Sequence, residues 1–148
     1  MAFFKSILLL GRVLFIGIML SNCSYSDPKP DQSTLISGDD EFGKTWQINQ
    51  IEVALGTLNP KPCLVDNYVT YFPSGRYEVS EGATKCDPND APGIVGTWAL
   101  SDSGEILTVS LGDSVQRWEV ESITETKHVI SSQFKDGIRT YSFHSSNQ

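Results

Sequence analysis

The side chains best suited to covalent or acid–base chemistry are few in this sequence, and they are scattered. The chain has three cysteines and two histidines among 148 residues. Serines are abundant, but none lies in a Gly-x-Ser-x-Gly arrangement, and His128 and His144 stand isolated in strand-like segments. Hydrolysis needs a nucleophile, a base and an orienting group gathered at one place. The sequence therefore predicts no enzyme.

Acidic residues do cluster, in Asp39-Asp40-Glu41 and in Asp87-Pro88-Asn89-Asp90, and oxygen-rich loops can bind calcium. The second cluster continues to Ala91, where a loop of the EF-hand type needs another oxygen ligand. Asp, Asn and Pro are also the residues that form solvated turns. Glu119 and Glu121 share a strand face, but nothing indicates the carboxylate-flanked cleft of a glycosidase. We therefore expect neither a metal site nor a cofactor.

Residues 1–22 contain the parts of a signal peptide. Lys5 and Arg12 supply positive charge, acidic residues are absent from this stretch, and Val13–Leu20 is an uninterrupted apolar run. The alternative, a transmembrane helix, needs about 20 apolar residues. Arg12 interrupts the apolar run that begins at Ile7, so the pattern favours a signal peptide.

The signal ends in Leu20-Ser21-Asn22-Cys23, which resembles the lipobox of bacterial lipoproteins. The resemblance implies that the Cys23 thiol carries diacylglycerol and that the chain is cut just before it. Several acyl chains anchor a protein stably, because each buried CH₂ contributes about 0.8 kcal/mol. The alternative is an ordinary secreted protein with an incidental Cys23. Because no Asp follows Cys23 directly, we expect the outer membrane, and the face of that membrane stays open.

If Cys23 carries lipid, Cys63 and Cys86 remain as a pair. Export would place them in an oxidising compartment, where pairing is expected. Closing that loop would stabilise the fold by about 3 kcal/mol in the chain-entropy model. Catalytic or metal-binding thiols are the alternative, but the sequence has no Cys-x-x-Cys motif.

The composition is that of a globular protein, with 39% hydrophobic and 20% charged residues. The formal net charge is −7, and loss of residues 1–22 would make it more negative by two. A strongly acidic chain lacks the clustered cations that a nucleic-acid binder needs. The expected partners are the membrane, through the lipid anchor, and a small apolar ligand or an envelope protein.

Residues 24–40 are rich in Ser, Asp and Pro and predict a flexible tether. Residues 41–148 form one predicted all-β domain, in which turn signals separate short β-rich segments. Eight strands are expected: Lys44–Leu55, Leu64–Phe72, Arg76–Ser80, Ile94–Leu100, Ile106–Leu111, Val115–Ile123, Lys127–Phe134 and Ile138–His144.

Two strands have irregular inward faces. In the first, the apolar phase shifts between Ile48 and Ile51, which predicts a β-bulge near Asn49-Gln50. In the second, the inward face could be Tyr68, Thr70 and Phe72, or Val69 and Tyr71.

An eight-stranded meander exposes two edges unless it closes into a barrel. We therefore predict an antiparallel up-and-down barrel in which the first and last strands pair; an open two-sheet sandwich is the alternative. Eight strands enclose an interior that side chains fill or that holds one small ligand.

Short segments between Gly43 and Phe143 form a recognisable series. They are Gly43-Lys44-Thr45-Trp46, Cys63 with Asp66-Asn67, Phe72-Pro73-Ser74-Gly75-Arg76-Tyr77, Glu81-Gly82-Ala83-Thr84-Lys85-Cys86-Asp87-Pro88, Gly96-Thr97-Trp98 and Ile106-Leu107-Thr108-Val109. Through these segments the stretch from Gly43 to Phe143 resembles the lipocalin-like domain of small lipoproteins from Gram-negative bacteria. That resemblance implies a lipocalin-type barrel with a loop disulfide.

Aromatic side chains on the predicted strands are the candidates for lining a ligand cavity. For Trp46 and Trp98 the sequence favours the alternative, a core that closes one end of the barrel. For Trp118 the two interpretations stay open. The candidates are Trp46, Phe72, Trp98, Trp118, Tyr141 and Phe143.

Overall fold

The computed structural model describes residues 31–53 and 56–146 of the chain. The predicted signal peptide (1–22), the candidate lipidation site Cys23, residues 24–30 of the predicted tether and Leu55 lie outside the described residues. Within the described ranges, no helix combines the length and the apolar character needed to cross a membrane.

Short helices and antiparallel strands make up the described chain. The helices are α1 (Gln32–Ser37) and α2 (Pro62–Val65). The strands are β1 (Lys44–Val53), β2 (Gly56–Leu58), β3 (Tyr68–Tyr71), β4 (Arg76–Ser80), β5 (Gly93–Leu100), β6 (Ile106–Leu111), β7 (Ser114–Ile123), β8 (Lys127–Phe134) and β9 (Gly137–Ser145).

The sheet closes on itself. Each strand from β3 to β9 pairs with the next, β1 pairs with β3, and β1 also pairs with β9 from Trp46 opposite Ser145 to Val53 opposite Arg139. The extra strand β2 pairs only with the end of β1 and is a hairpin beside the barrel wall. The predicted closed, eight-stranded antiparallel barrel and its first-to-last pairing are therefore confirmed.

The bulge predicted in the first strand is also confirmed. The register between β1 and β9 shifts between Ile48 and Gln50, so Asn49 is the extra residue. Ile48 lies opposite Phe143, and Ile51 lies opposite Tyr141. Because cross-strand partners share a face, the bulge keeps both isoleucines on the inner face despite their odd spacing.

Helix α1 closes the end of the barrel at which β1 begins, which we call the closed end. The side chain of Ile36 is 0% exposed, and Leu35 is also buried. The indole Nε1 of Trp46 donates to the Ile36 carbonyl oxygen over 2.8 Å, and Lys44 Nζ donates to the Leu35 carbonyl oxygen over 3.0 Å. Lys44 also pairs with Glu125, at 3.1 Å.

The flexible tether predicted for 24–40 is therefore wrong for the described part of that segment, from residue 31. Leu35 and Ile36 are two apolar residues in a polar stretch, and burying them against the barrel outweighs the low apolar content of their neighbours. The helix ends at Gly38, whose φ of 74° lets the chain leave it toward β1.

The predicted strand Leu64–Phe72 is wrong at its start. Pro62 stands in the first turn of α2, where its fixed φ suits a helix and its missing N–H costs nothing. Strand β3 therefore begins only at Tyr68. Its inner face carries Val69 and Tyr71, which pack in the core, so the second of the two phases left open by the sequence is the observed one.

Candidate functional site

The interior of the barrel is filled at the closed end. Trp46, Leu107 and His128 are each 0% exposed, and Trp98 packs against Tyr71 with ring centroids 5.5 Å apart. The Trp98 indole donates to the Phe72 carbonyl oxygen over 2.9 Å. Trp46 and Trp98 are therefore core residues with satisfied N–H groups. Neither is among the residues that line the cavity described next.

Toward the opposite, open end the interior holds a cavity of about 560 Å³. It contains three of the six aromatic candidates, Trp118, Tyr141 and Phe143. Its lining is Ile48, Tyr71, Tyr77, Val109, Val115, Gln116, Arg117, Trp118, Ile130, Ser132, Phe134, Tyr141 and Phe143. Ten of these thirteen side chains are aromatic or aliphatic, so the cavity suits an apolar ligand.

The candidate Phe72 does not line the cavity. It follows the inward Tyr71, so strand alternation turns it outward. The Arg76 guanidinium lies 4.7 Å from the centroid of its ring. Phe72 is therefore a wall residue in a cation–π contact on the outside of the barrel.

The cavity includes tyrosines that the sequence did not identify as candidates. Tyr71 and Tyr77 lie directly opposite each other on β3 and β4, with ring centroids 5.0 Å apart. Once Tyr71 is placed on the inner face, the hairpin at Pro73–Gly75 puts Tyr77 on the same face. The pairing register imposed by the turn at Pro73–Gly75 was the sequence signal that could have identified Tyr77.

One wall of the cavity is a set of aromatic rings in contact with one another. Trp118 contacts Tyr141 edge to face, at 5.3 Å between centroids with an interplanar angle of 85°, and it contacts Phe134 in a tilted arrangement at 6.1 Å. Contacts of this kind hold rings in defined orientations. They present flat faces and edges, rather than flexible chains, to a bound molecule.

The barrel wall opens beside Trp118, because β7 and β8 separate there. Their pairing runs from Ile123 opposite His128 to Glu119 opposite Ser131 and stops. Beyond that point Ser132 Oγ donates to the Arg117 carbonyl oxygen over 3.1 Å. A side cleft of about 400 Å³ lies at the separation and shares Arg117, Trp118 and Ser132 with the cavity.

Two loops at the open end are joined to each other. Cys63 in α2 is disulfide-bonded to Cys86 in the β4–β5 loop, with 5.0 Å between the Cα atoms, which confirms the predicted pair. The Asp66 carboxylate accepts hydrogen bonds from the backbone N–H groups of Thr84, at 2.8 Å, and Ala83, at 2.9 Å. These hydrogen bonds lower the pKa of Asp66. We call the opening of the cavity at this end its mouth. On one side of the mouth, two loops are joined by a disulfide and by hydrogen bonds.

Comparison with known proteins leaves the family unassigned. No family model matches the sequence, and no curated protein matches it. Among solved structures, the chain is similar to a lipocalin-like protein from Bacteroides uniformis ATCC 8492, with 13% sequence identity and a TM-score of 0.49. The match covers 68% of this chain and 94% of that chain. The strand pairing given above establishes the closed barrel.

Proposed function

We propose that this protein is a lipid-anchored protein of the cell envelope whose barrel binds a small, largely apolar molecule. The observation that supports the proposal is the cavity of about 560 Å³, with its aromatic and aliphatic lining. It exceeds the roughly 300 Å³ at which ligand pockets begin. The proposed role is binding rather than catalysis.

The proposed anchor gives the barrel an orientation. Cys23 precedes Asp31 by eight residues, which span at most about 28 Å when fully extended. Helix α1 follows directly and lies at the closed end of the barrel. An acylated Cys23 would therefore hold the closed end toward the membrane, expected to be the outer membrane, and leave the mouth of the cavity facing away from it.

The anchor is tested by Cys23→Ser. We expect the variant to lose incorporation of radiolabelled palmitate and to leave the membrane fraction or accumulate as precursor, because no thiol remains for the diacylglycerol. Cys63→Ser with Cys86→Ser is the matched control and should keep the label. Equal labelling of Cys23→Ser and the unaltered protein would contradict lipidation at this residue.

Ligand binding is tested by filling the cavity. Ser132 is half-buried and lines both the cavity and the side cleft. We expect Ser132→Trp to weaken binding of the neutral fluorescent probe N-phenyl-1-naphthylamine at least about tenfold, which corresponds to about 1.4 kcal/mol. Fluorescence titration of the purified soluble domain measures the change.

Two controls separate filling of the cavity from other effects of this change. Ser132→Ala removes the hydrogen bond to the Arg117 carbonyl without filling the cavity, and Thr97→Trp adds an indole at an exposed position of β5. Both should bind the probe as the unaltered protein does. Unchanged binding by Ser132→Trp would place the probe outside the cavity. Native mass spectrometry of protein from its own host then identifies a retained molecule.

A second role has one observation in its favour. Large apolar side chains are exposed in the segments around the open end, among them Leu58, Val65 and Ile138. Such side chains suit contact with an envelope protein through the loops. Ser132→Trp distinguishes the two roles, because it fills the cavity and leaves these side chains unchanged.

A further inference from the structure

A pair of tyrosines, Tyr71 and Tyr77, lies at the floor of the cavity. Tyr71 and Tyr77 are 2% and 8% exposed, and both line the cavity. Their ring centroids lie 5.0 Å apart. They lie near the closed end of β3 and β4, where a ligand that enters through the mouth would place its deepest atoms.

At least one O–H donor of this pair has no acceptor among the described residues. Two hydroxyl groups carry two O–H donors, and a bond between them would use only one. Within residues 31–53 and 56–146, no hydrogen bond joins either hydroxyl to a third residue. One O–H group therefore remains available, and a buried donor gains from a partner in the cavity.

The floor is also uncharged. Burial, together with the neighbouring Tyr77, raises the pKa of Tyr71 well above its usual value, and burial raises the pKa of Tyr77 to about 12. Both groups are therefore neutral donors at physiological pH. Among the described residues that line the cavity, Arg117 is the only one with a charged side chain, and it lies near the mouth at the start of β7. A carboxylate at the floor would lack a cation.

We propose that the Tyr71–Tyr77 pair is the specificity element of the cavity, and that it selects an apolar, ring-containing ligand with a neutral oxygen acceptor, such as a ketone, at its buried end. The ring preference follows from the aromatic wall of Trp118, Phe134 and Tyr141. The inference rests on the proposed ligand-binding function and specifies the class of ligand.

A matched pair of probes tests it. 2-Acetylnaphthalene carries a ketone oxygen, and 2-ethylnaphthalene has nearly the same shape without it. Either tyrosine alone still offers an O–H donor, so the informative variant is the double substitution Tyr71→Phe with Tyr77→Phe. We expect the double variant to bind 2-acetylnaphthalene about fivefold to tenfold more weakly, relative to its affinity for 2-ethylnaphthalene. This change is in the range of one neutral hydrogen bond. Each single substitution should lose less.

A spectroscopic readout keeps the test independent of how well the variant folds. The infrared stretching frequency of the ¹³C-labelled carbonyl in the complex with the unaltered protein should lie below its value in an apolar solvent, because an O–H group donates to it. A bound frequency equal to that in an apolar solvent would overturn the inference. So would an equal change of both affinities in the double variant, since the tyrosines would then act only as wall.

These outcomes are distinct from failure of the proposed function. If neither naphthalene binds the unaltered protein, the cavity is not a binding site and the inference fails with it. If both bind and the double variant leaves their ratio unchanged, ligand binding stands and only the role of the tyrosines is contradicted. Weaker binding of 2-naphthoate than of 2-acetylnaphthalene at pH 7 is the further expectation from the uncharged floor.

Discussion

Deletion of residues 138–148 is expected to abolish cooperative unfolding. These residues hold nearly all of β9, which pairs with β8 from Lys127 to Phe134 and with β1 from Trp46 to Val53. The deletion would expose both strand edges and remove Tyr141 and Phe143 from the interior. An open sheet keeps free strand edges. Without Tyr141 and Phe143 it also buries less apolar surface, so it is less stable.

Urea unfolding, followed by far-ultraviolet circular dichroism, measures the effect. The truncated chain should show a broad transition with a reduced dependence on urea, the sign of a less compact or non-two-state protein. Removal of residues 147–148 alone is the control and should leave the transition sharp, since β9 ends at Ser145. A sharp transition in the long truncation would show that the barrel does not need its closing strand.

Acidification below pH 6.5 is expected to destabilise the fold through His128. The ring is 0% exposed, and it contacts Trp46, Tyr71 and Phe143 at centroid distances of 5.5–6.0 Å. Neither ring nitrogen has a hydrogen-bond partner in the described part of the chain. Burial, and secondarily the positive charge of Lys44, lowers the pKa of His128 to about 4. The folded protein therefore holds this imidazole neutral.

The sign of the pH dependence follows from the protons bound in each state. Between about pH 6.5 and pH 4 the unfolded chain protonates this histidine and the folded chain does not, so stability falls as the pH falls. The contribution is complete above pH 6.5 and is lost by about pH 4. Lowering of the His128 pKa from 6.5 to about 4 corresponds to about 3 kcal/mol in the free energy of unfolding.

His128→Phe tests this account, because phenylalanine keeps an aromatic ring among its aromatic neighbours and cannot titrate. Urea unfolding at pH 7 and pH 4.5 should show a clearly smaller loss of stability in the variant. The chain contains one other histidine, the exposed His144, and His144→Gln should retain the full loss. Equal acid sensitivity in His128→Phe and the unaltered protein would assign the effect to other groups.

Much of the barrel could be predicted from local patterns. Alternating apolar residues and turn residues located the strands of the barrel, and a shift of phase between Ile48 and Ile51 located the bulge. The disulfide between Cys63 and Cys86 followed from counting cysteines. Closure followed from the cost of free strand edges. Each of these signals depends on residues close in sequence or on a rule that holds for any sheet.

The candidate site was predicted only in part, because its geometry depends on contacts between distant segments. Trp118, Tyr141 and Phe143 line the cavity, whereas Phe72 faces outward. The phase of β3 was ambiguous in its own sequence. Pairing with β1, which places Lys44 opposite Tyr71 and Trp46 opposite Val69, sets it in the folded chain.

The sequence by itself determined that this protein is an all-β, closed barrel with one loop disulfide, because strand period, turn chemistry and edge protection are local or general properties. Only the tertiary structure decided which part of the interior is filled. Ile36 and Leu35 cover the closed end from outside the barrel strands, and Trp46, Trp98 and His128 fill the space beneath them. The open half keeps its cavity because the volume left over depends on side chains that meet only when all the strands are in register.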